Sequence, residues 1–227
     1  MATGGPMRMR TDSPSPDDLL TLAQWFSASF PVGAFSYSHG LEFAVQTGHV
    51  CDANSFADWL TQVIRDGSGR NDLILLAAAY RAASPSDLAE IDSLARALAP
   101  SSERLLEAEQ QGAAFAQTVT EIWGLALPDM AYPVAAGAAA HARGLSLDPT
   151  ARMYLQAFAS NLTSAAIRLV PLGQTDGQRA LATLVPAINA TATEALDQTL
   201  DDLGSATFLV DIASMRHETQ YSRMFRS

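Results

Sequence analysis

Lysine is absent from this sequence, and all 14 basic residues are arginines. A phosphate-binding loop of the Walker A type needs a lysine, and so do Schiff-base enzymes and enzymes that anchor pyridoxal phosphate. Cysteine is almost absent, because Cys51 is the only one. One thiol forms neither an internal disulfide nor an iron–sulfur or Cys-type zinc site. These absences exclude several enzyme classes and favour a reducing compartment, so we expect a cytoplasmic protein.

Positive charge and long apolar runs are also scarce. The 24 acidic residues outnumber the 14 basic ones and give a net charge of −10 at pH 7. Such a charge repels a phosphate backbone, so we expect no nucleic-acid partner. The longest apolar run, residues 73–80, is far below the ~20 residues of a membrane-spanning helix. Residues 1–16 lack the apolar stretch of a signal peptide, and we therefore expect a soluble protein with no membrane partner.

Apolar residues recur at helical spacing along most of the chain, and no segment alternates for long at period two. The sequence therefore predicts an all-α fold, a single bundle-like domain of about ten helices over residues 19–227, after a disordered segment over residues 1–18. Residues 131–141 are nearly all small, which lets another backbone approach closely. Local signals further predict a helix capped by Asn54 or Ser55, a helix capped by Asn71, a helix over 178–203 that Pro186 kinks or breaks, and a last helix over 205–217.

Few residues suit catalysis or metal binding. His39 and Glu42 stand three positions apart where a helix begins, so they could share a proton or a metal ion, but two ligands do not make a site. A metal site could still form in a dimer that brings two equivalent histidines together. Residues 36–40 lack the first glycine of a nucleophile elbow, and no Gly-x-Gly-x-x-Gly motif is present. We therefore predict no catalytic residue, no metal site and no cofactor. The other histidines stand apart from further ligands: His49, His141 and His217.

Residues 30–40, called the aromatic loop below, are more apolar than an ordinary solvated loop. Pro31, Gly33 and Gly40 break helical structure there, and Phe35 and Tyr37 lie between them. Such a loop is either pinned onto the core by its aromatic side chains or forms a contact surface. Composition leaves both interpretations open.

Residues 216–227, called the C-terminal tail below, combine aromatic and basic side chains. Tyr221, Met224 and Phe225 alternate with Arg223 and Arg226. Arginine with aromatic residues is the composition of interface hot spots, whereas frayed chain ends seldom carry so much apolar area. The tail is therefore either an interface or a frayed end.

Four segments of the sequence resemble the urease accessory protein F family of nickel-urease maturation factors. The most specific is SFPVGAFSYSHGLE at residues 29–42, which follows a leucine-rich first helix. Tyr132-Pro133-Val134 with Gly137 is similar to the second family motif. Residues 161–178, NLTSAAIRLVPLGQTDGQ, are similar to the third, and residues 211–227, DIASMRHETQYSRMFRS, to the last. The resemblance covers the chain from about residue 19 to its end, and residues 1–18 match no part of it.

This resemblance implies an all-helical, dimeric, non-enzymatic protein. It implies binding to the family's partner accessory protein, D or H by nomenclature, as a platform for the urease accessory GTPase, G by nomenclature, and action of that complex on apo-urease. The GTPase and its relatives deliver nickel to a carbamylated lysine of urease. By resemblance the partner-binding residues are Phe35, Ser36, Tyr37, His39 and Glu42 in the loop and Arg216, Tyr221, Arg223, Phe225 and Arg226 in the tail.

The resemblance leaves several questions open. Arg168 and Gln174 lie on either side of Pro171, where the preceding helix ends. They either order the turn at Pro171 or face the GTPase. The tail is expected to order only when it binds the partner accessory protein. A rival hypothesis is direct regulation of GTP hydrolysis by the G-type GTPase through an arginine supplied in trans, and a third is nickel binding through His39 or His217. The sequence does not decide the dimer geometry or whether hydrolysis is activated or inhibited.

Overall fold

The computed structural model describes residues 14–227, and every regular element in this range is helical. The predicted all-α, single-domain fold is confirmed, since the helices surround one hydrophobic core. The described elements are α1 (Pro16–Trp25), α2 (Leu41–Gln46), α3 (Ala53–Asp66), α4 (Ser68–Arg81), α5 (Pro85–Ala97), α6 (Ser102–Trp123), α7 (Tyr132–Arg143), α8 (Leu147–Leu169), α9 (Gln174–Thr183), α10 (Val185–Asp197), α11 (Phe208–His217) and two 3₁₀ turns, Ala34–Ser36 and Leu200–Asp202.

Helix α1 begins inside the segment that we expected to be disordered. The main-chain N–H of Asp18 donates to Ser15 Oγ at 3.1 Å, and the N–H of Ser15 donates to Asp18 Oδ2 at 3.0 Å. This reciprocal capping box satisfies donors at the helix start, and Pro16 suits the first turn. Residues 16–18 are therefore helical, contrary to the predicted boundary at residue 18. Residues 1–13 of the predicted disordered segment lie outside the described residues.

The start of two helices differs from prediction. Asp52, and not Asn54 or Ser55, caps α3 by accepting a hydrogen bond from the N–H of Ser55 at 2.8 Å. Helix α4 starts directly after Gly67, so Asn71 lies inside the helix and caps nothing. Its side-chain oxygen instead accepts a hydrogen bond from the N–H of Gly204 at 3.2 Å. Gly67 alone separates α3 from α4, so almost no loop lies between these two helices.

Pro186 separates α9 from α10, which confirms the predicted break. Proline has no N–H to donate, and its ring excludes the preceding turn, so it is tolerated in the first turn of α10. Helix α9 already begins at Gln174, before the predicted residue 178, and α10 ends at Asp197, short of the predicted residue 203. Helix α11 begins at Phe208, later than the predicted residue 205.

Helix α4 lies at the centre of the domain and packs most extensively against α7. Five consecutive side chains of α4, residues 73–77, are buried. The Cα of Gly137 in α7 lies so close to the carbonyl of Leu76 that a Cβ at this position would overlap it. The predicted close backbone approach by the small residues of α7 is therefore confirmed.

One side of the domain brings together parts of the chain that are far apart in sequence. Helix α11 packs against α2 and α6, which places the aromatic loop before α2 beside the tail after α11. Between residues 14 and 227, none of the helices combines the length and the apolar character needed to cross a bilayer.

Candidate functional site

The aromatic loop enters α2 through left-handed backbone. His39 has φ 61° and Gly40 has φ 78°, and together they reverse the chain direction before Leu41. A Cβ on Gly40 would lie 2.8 Å from the main-chain nitrogen of Ser214 in α11. The left-handed conformation and the close approach both favour glycine here, and they let α2 lie directly on α11.

The C-terminal tail folds back onto the aromatic loop. The N–H of Arg226 donates to the carbonyl of Ser36 at 2.8 Å, and the N–H of Ser38 donates to the carbonyl of Ser227 at 2.7 Å. The hydroxyl of Ser38 donates to the same Ser227 carbonyl, across 189 positions of sequence. The tail is therefore already held in place in the chain alone, contrary to the expectation that it orders only on partner binding.

Glu42 holds the tail through main-chain hydrogen bonds. Its Oε1 accepts a hydrogen bond from the N–H of Met224 at 2.7 Å, and its Oε2 accepts one from the N–H of Phe225 at 2.9 Å. The Glu42 side chain is buried, so these bonds are shielded from water. Hydrogen bonds to an ionised carboxylate are about twice as strong as neutral ones, and Glu42 is therefore the main attachment of the tail to α2.

His217 connects α11 to α2 and α6, next to the attachment of the tail. Its side chain is fully buried, with Nδ1 2.6 Å from Glu103 Oε2 in α6 and Nε2 3.3 Å from Glu42 Oε2 in α2. The guanidinium of Arg223 in the tail pairs with the other carboxylate oxygen of Glu103. Acidic and basic side chains thus alternate in the order Glu42, His217, Glu103 and Arg223. Removal of one of them leaves a neighbouring buried side chain without its hydrogen-bonding or charged partner.

Helix α6 supports both the loop and the tail. Gln110 Oε1 accepts a hydrogen bond from the hydroxyl of Tyr37 at 2.6 Å and one from Arg226 Nη1 at 3.3 Å. One turn earlier, Glu107 Oε2 accepts a hydrogen bond from Ser227 Oγ at 2.8 Å. These acidic and amide residues of α6 were not singled out from the sequence, because nothing in their own spacing indicates a partner more than 100 positions away.

Arg168 joins the loop and the tail from the end of α8. Its guanidinium carbon lies 4.4 Å from the ring centroid of Phe225, and its Nη1 donates to the carbonyl of Phe35 at 3.3 Å. Arg168 therefore contacts both the loop and the tail from an exposed position, and its contact with the GTPase stays a prediction. Gln174 is exposed in the first turn of α9, and its side chain forms no hydrogen bond with the described residues.

The residues assigned by resemblance differ in their exposure to solvent. Tyr37, His39, Glu42 and Phe225 are buried at the junction of the loop and the tail, so direct contact with a partner would require one of these segments to move. Ser36 is half-buried. The side chains that face solvent are Phe35, Arg168, Gln174, Arg216, Tyr221, Arg223 and Arg226.

The outer face of α11 is an exposed apolar surface that the sequence reasoning missed. The signal for it was present, because α11 is apolar on both faces and only one helix face can pack on α2 and α6. Within the tail, Tyr221 is fully exposed and Met224 is 57% exposed. The outward side chains of α11 and their exposed fractions are Phe208 72%, Leu209 67%, Ile212 49% and Met215 49%.

His39 and Glu42 do not form the pair that their spacing allowed. His39 Nε2 lies 2.6 Å from Ser68 Oγ, whereas Glu42 faces the tail. Burial, with a smaller effect from Arg104, holds the pKa of His39 well below its ordinary value, so the ring is neutral at pH 7. In the part of the chain that the structure describes, no three His, Cys, Asp or Glu side chains converge on a metal position.

Comparison with known proteins identifies the relatives of this chain. The sequence model of the UreF family matches residues 50–185. The urease accessory protein UreF of Roseobacter denitrificans is 53% identical over 213 residues, which cover 94% of this chain and 96% of the relative. The protein of the same name from Ruegeria pomeroyi is 49% identical over 215 residues, covering 95% of this chain and 99% of the relative.

Proposed function

This chain belongs to the UreF family of urease accessory proteins, and we propose that it serves urease maturation as a non-enzymatic scaffold in the cytoplasm. It binds the D- or H-type accessory protein, and the resulting complex recruits the G-type accessory GTPase to apo-urease for nickel insertion. The observation that carries the proposal is the junction of the aromatic loop with the C-terminal tail, where two family motifs form one surface.

The exposed part of this junction has the composition of a protein interface. Phe35 is 72% exposed and Tyr221 is fully exposed, and exposed arginines flank them in the tail. Aromatic residues and arginine are enriched at interface hot spots. The whole chain carries a net charge of −10, so its surface repels an acidic partner. The exposed arginines of the tail attract such a partner locally, which favours one orientation of docking.

The buried residues of the junction support the same function indirectly. Glu42 and His217 hold the tail, and Arg168 holds the ring of Phe225 against the loop. A surface that is ordered before binding loses less conformational entropy on association than a disordered one. In this proposal the buried Glu42 and His217 position the exposed side chains, Arg168 among them, and do not touch the partner themselves.

Co-purification with the D-type accessory protein tests the scaffold proposal. Tyr221→Ala removes an exposed aromatic side chain that contacts nothing else in the tail, and we expect at least about a 30-fold loss of affinity, the equivalent of a hot spot of about 2 kcal/mol. Ile122→Ala, which truncates a 57% exposed side chain at the far end of α6, is the matched control. Unchanged affinity of the Tyr221 variant would contradict the proposed interface.

A second candidate function is direct regulation of GTP hydrolysis by the G-type GTPase. Arg216 favours it, because this side chain is exposed and forms no ion pair with the described residues. Arginines supplied in trans accelerate GTP hydrolysis by about 10³ to 10⁵. Single-turnover GTP hydrolysis by that GTPase is measured with the wild-type chain, with Arg216→Ala and with the exposed control Arg143→Ala. If the chain is a regulator, Arg216→Ala loses the effect on the hydrolysis rate and Arg143→Ala keeps it. If the chain is only a scaffold, the three proteins give the same rate.

We also propose that the chain forms a homodimer, as the family resemblance implies. Light scattering of the purified protein measures its mass, and a monomer at micromolar concentration would contradict this proposal. Nickel binding is the least supported alternative, since the described residues contain no cluster of metal ligands. Equilibrium dialysis against nickel tests it on the same sample, with His217→Ala as the variant that should lose the ion.

A further inference from the structure

The domain contains a cavity of about 340 Å³ to which the proposed scaffold function assigns no ligand, although part of the aromatic loop lines it. Residues 25–35, from the end of α1 into the aromatic loop, form one wall. The other walls come from α4, α6, α8, the start of α7 and residues 95–100 at the end of α5 and after it. A volume of this size is typical of sites for small organic molecules. Its lining is mainly apolar and aromatic, with a few charged groups, which is the usual design of such sites.

Asp72, on α4, places a carboxyl group in this cavity. Its Oδ2 accepts a hydrogen bond from the hydroxyl of Tyr154 at 2.8 Å, and its Oδ1 accepts none from the described residues. Asp72 keeps accessible surface and lines the cavity, so the free oxygen is open to an occupant. Burial raises the pKa of Asp72 to about 6, which leaves the group mostly ionised at pH 7.5.

Asp72 has no ion pair with a described residue, and the nearby Arg104 offsets only part of the effect of burial on its pKa. The charged side chains that line the cavity are Asp72, Arg104 and Glu107. Arg104 is buried and forms its ion pair with Glu107, so its single charge is shared between two carboxylates. Two carboxylates and one guanidinium leave an excess of one negative charge, and a buried negative charge that is not fully compensated is costly.

We propose that this cavity binds a small organic cation, a primary ammonium on an apolar body, with the ammonium at Asp72 Oδ1. Charge complementarity supports this occupant, because the cation supplies the charge and the hydrogen-bond donor that the carboxylate lacks. A metal ion fits less well, since no three His, Cys, Asp or Glu side chains of the described residues converge on one position.

Aromatic rings next to Asp72 strengthen the argument for an organic cation. The rings of Tyr132 and Tyr154 lie with centroids 5.2 Å apart, and the ring of Phe26 meets that of Tyr154 edge-on at 5.8 Å. All three residues line the cavity. Aromatic faces attract ammonium groups and also cover an apolar body, so the same walls serve both ends of the ligand.

Calorimetric titration of the full chain with benzylammonium tests the proposal. Benzyl alcohol and benzoate are matched probes with the same ring and with neutral and negative head groups. At pH 7.5 we expect benzylammonium to bind at least about tenfold more tightly than benzyl alcohol and benzoate not to bind. Equal affinity for benzylammonium and benzyl alcohol, or absence of benzylammonium binding, would overturn the proposal. This comparison needs only the wild-type protein.

A pH series and one variant locate the ammonium at Asp72. At pH 5 the affinity for benzylammonium should be about tenfold lower than at pH 7.5, because a carboxyl group of pKa about 6 is then mostly protonated. Asp72→Asn should lose the same affinity at pH 7.5, whereas the exposed control Asp58→Asn should bind as the wild type does. An unchanged affinity of a folded Asp72→Asn variant, or displacement of benzylammonium by equimolar nickel chloride, would overturn the assignment.

Discussion

Glu42 Oε2 accepts a hydrogen bond at 2.9 Å from the main-chain N–H of Phe225, 183 positions later in the sequence. With the neighbouring bond from Met224, this contact fastens the C-terminal tail to the first residues of α2. The two family motifs that resemblance assigns to partner binding are therefore one structural unit. The aromatic loop cannot change position without disturbing the tail, and the tail cannot move without disturbing the loop.

Glu42→Gln should loosen the tail while the domain stays folded. The amide nitrogen of glutamine would face one main-chain N–H of the tail, so at least one hydrogen bond is lost and two donors oppose each other. We expect a loss of about 1–3 kcal/mol in local stability, the cost of a buried unsatisfied polar group. Hydrogen exchange at the amides of Met224 and Phe225 measures it, and Glu90→Gln, an exposed substitution on α5, is the control. Unchanged exchange at these amides would contradict the role given to Glu42.

His217→Ala should destabilise the whole domain. The change leaves Glu42 and Glu103 facing each other without the imidazole between them and opens a cavity at a fully buried position. Removing one member of a buried charged group costs about 3–5 kcal/mol. Urea unfolding measures this loss, and His49→Ala, at an exposed histidine, should change stability by less than about 0.5 kcal/mol. Equal stability of the two variants would show that His217 does not connect these elements.

Gly40→Ala and Gly33→Ala separate backbone strain from steric overlap. Both glycines have positive φ, 78° and 74°, which costs alanine about 1 kcal/mol. Only Gly40 has a neighbour in the way, since its Cβ would lie 2.8 Å from Ser214 N, whereas nothing lies within 4 Å of a Cβ on Gly33. We expect Gly40→Ala to lower the unfolding free energy clearly more than Gly33→Ala does, with detachment of α11 from α2. Equal losses in thermal unfolding would contradict this contact.

Asp72→Asn should stabilise the protein at neutral pH but not at acidic pH. Because burial raises the pKa of Asp72 to about 6, the folded state retains this proton to higher pH than the unfolded state does. The penalty for ionisation is therefore absent below the unfolded pKa of ~3.9, grows between pH ~4 and ~6, and is complete above that range. We expect a gain of up to about 3 kcal/mol at pH 7.5 and none at pH 4. Urea unfolding across this range checks it, and a difference that does not vary with pH would contradict the buried carboxylate.

Helix content and most helix ends follow from local signals in the sequence. Pro186 breaks a helix wherever the chain goes, because proline lacks the N–H that the preceding turn requires. Gly137 among small residues predicts a close helix contact for a similarly local reason. The errors lie where two signals overlap: Asp52 outcompetes Ser55 as a cap, and Gly67 ends one helix just before another begins.

The site shows the limit of the same reasoning. Composition alone marks the loop and the tail as unusual, and the family motifs give each a role. Sequence could not show that Glu103, Glu107 and Gln110 would support them, because α6 meets these segments only after the chain has folded. Nor could it tell which face of α11 stays exposed, since both faces are apolar.

The amino-acid sequence by itself determined the helical elements, the acidic surface charge, the family and the residues of interest, because each depends on residues that are neighbours along the chain. Only the tertiary structure decided that the loop and tail form one unit and that Tyr37, His39, Glu42 and Phe225 lie inside it. It also decided that Asp72 faces a cavity whose charged side chains carry an excess of one negative charge. Burial and pairing depend on distances between side chains that are far apart in sequence, and packing sets those distances.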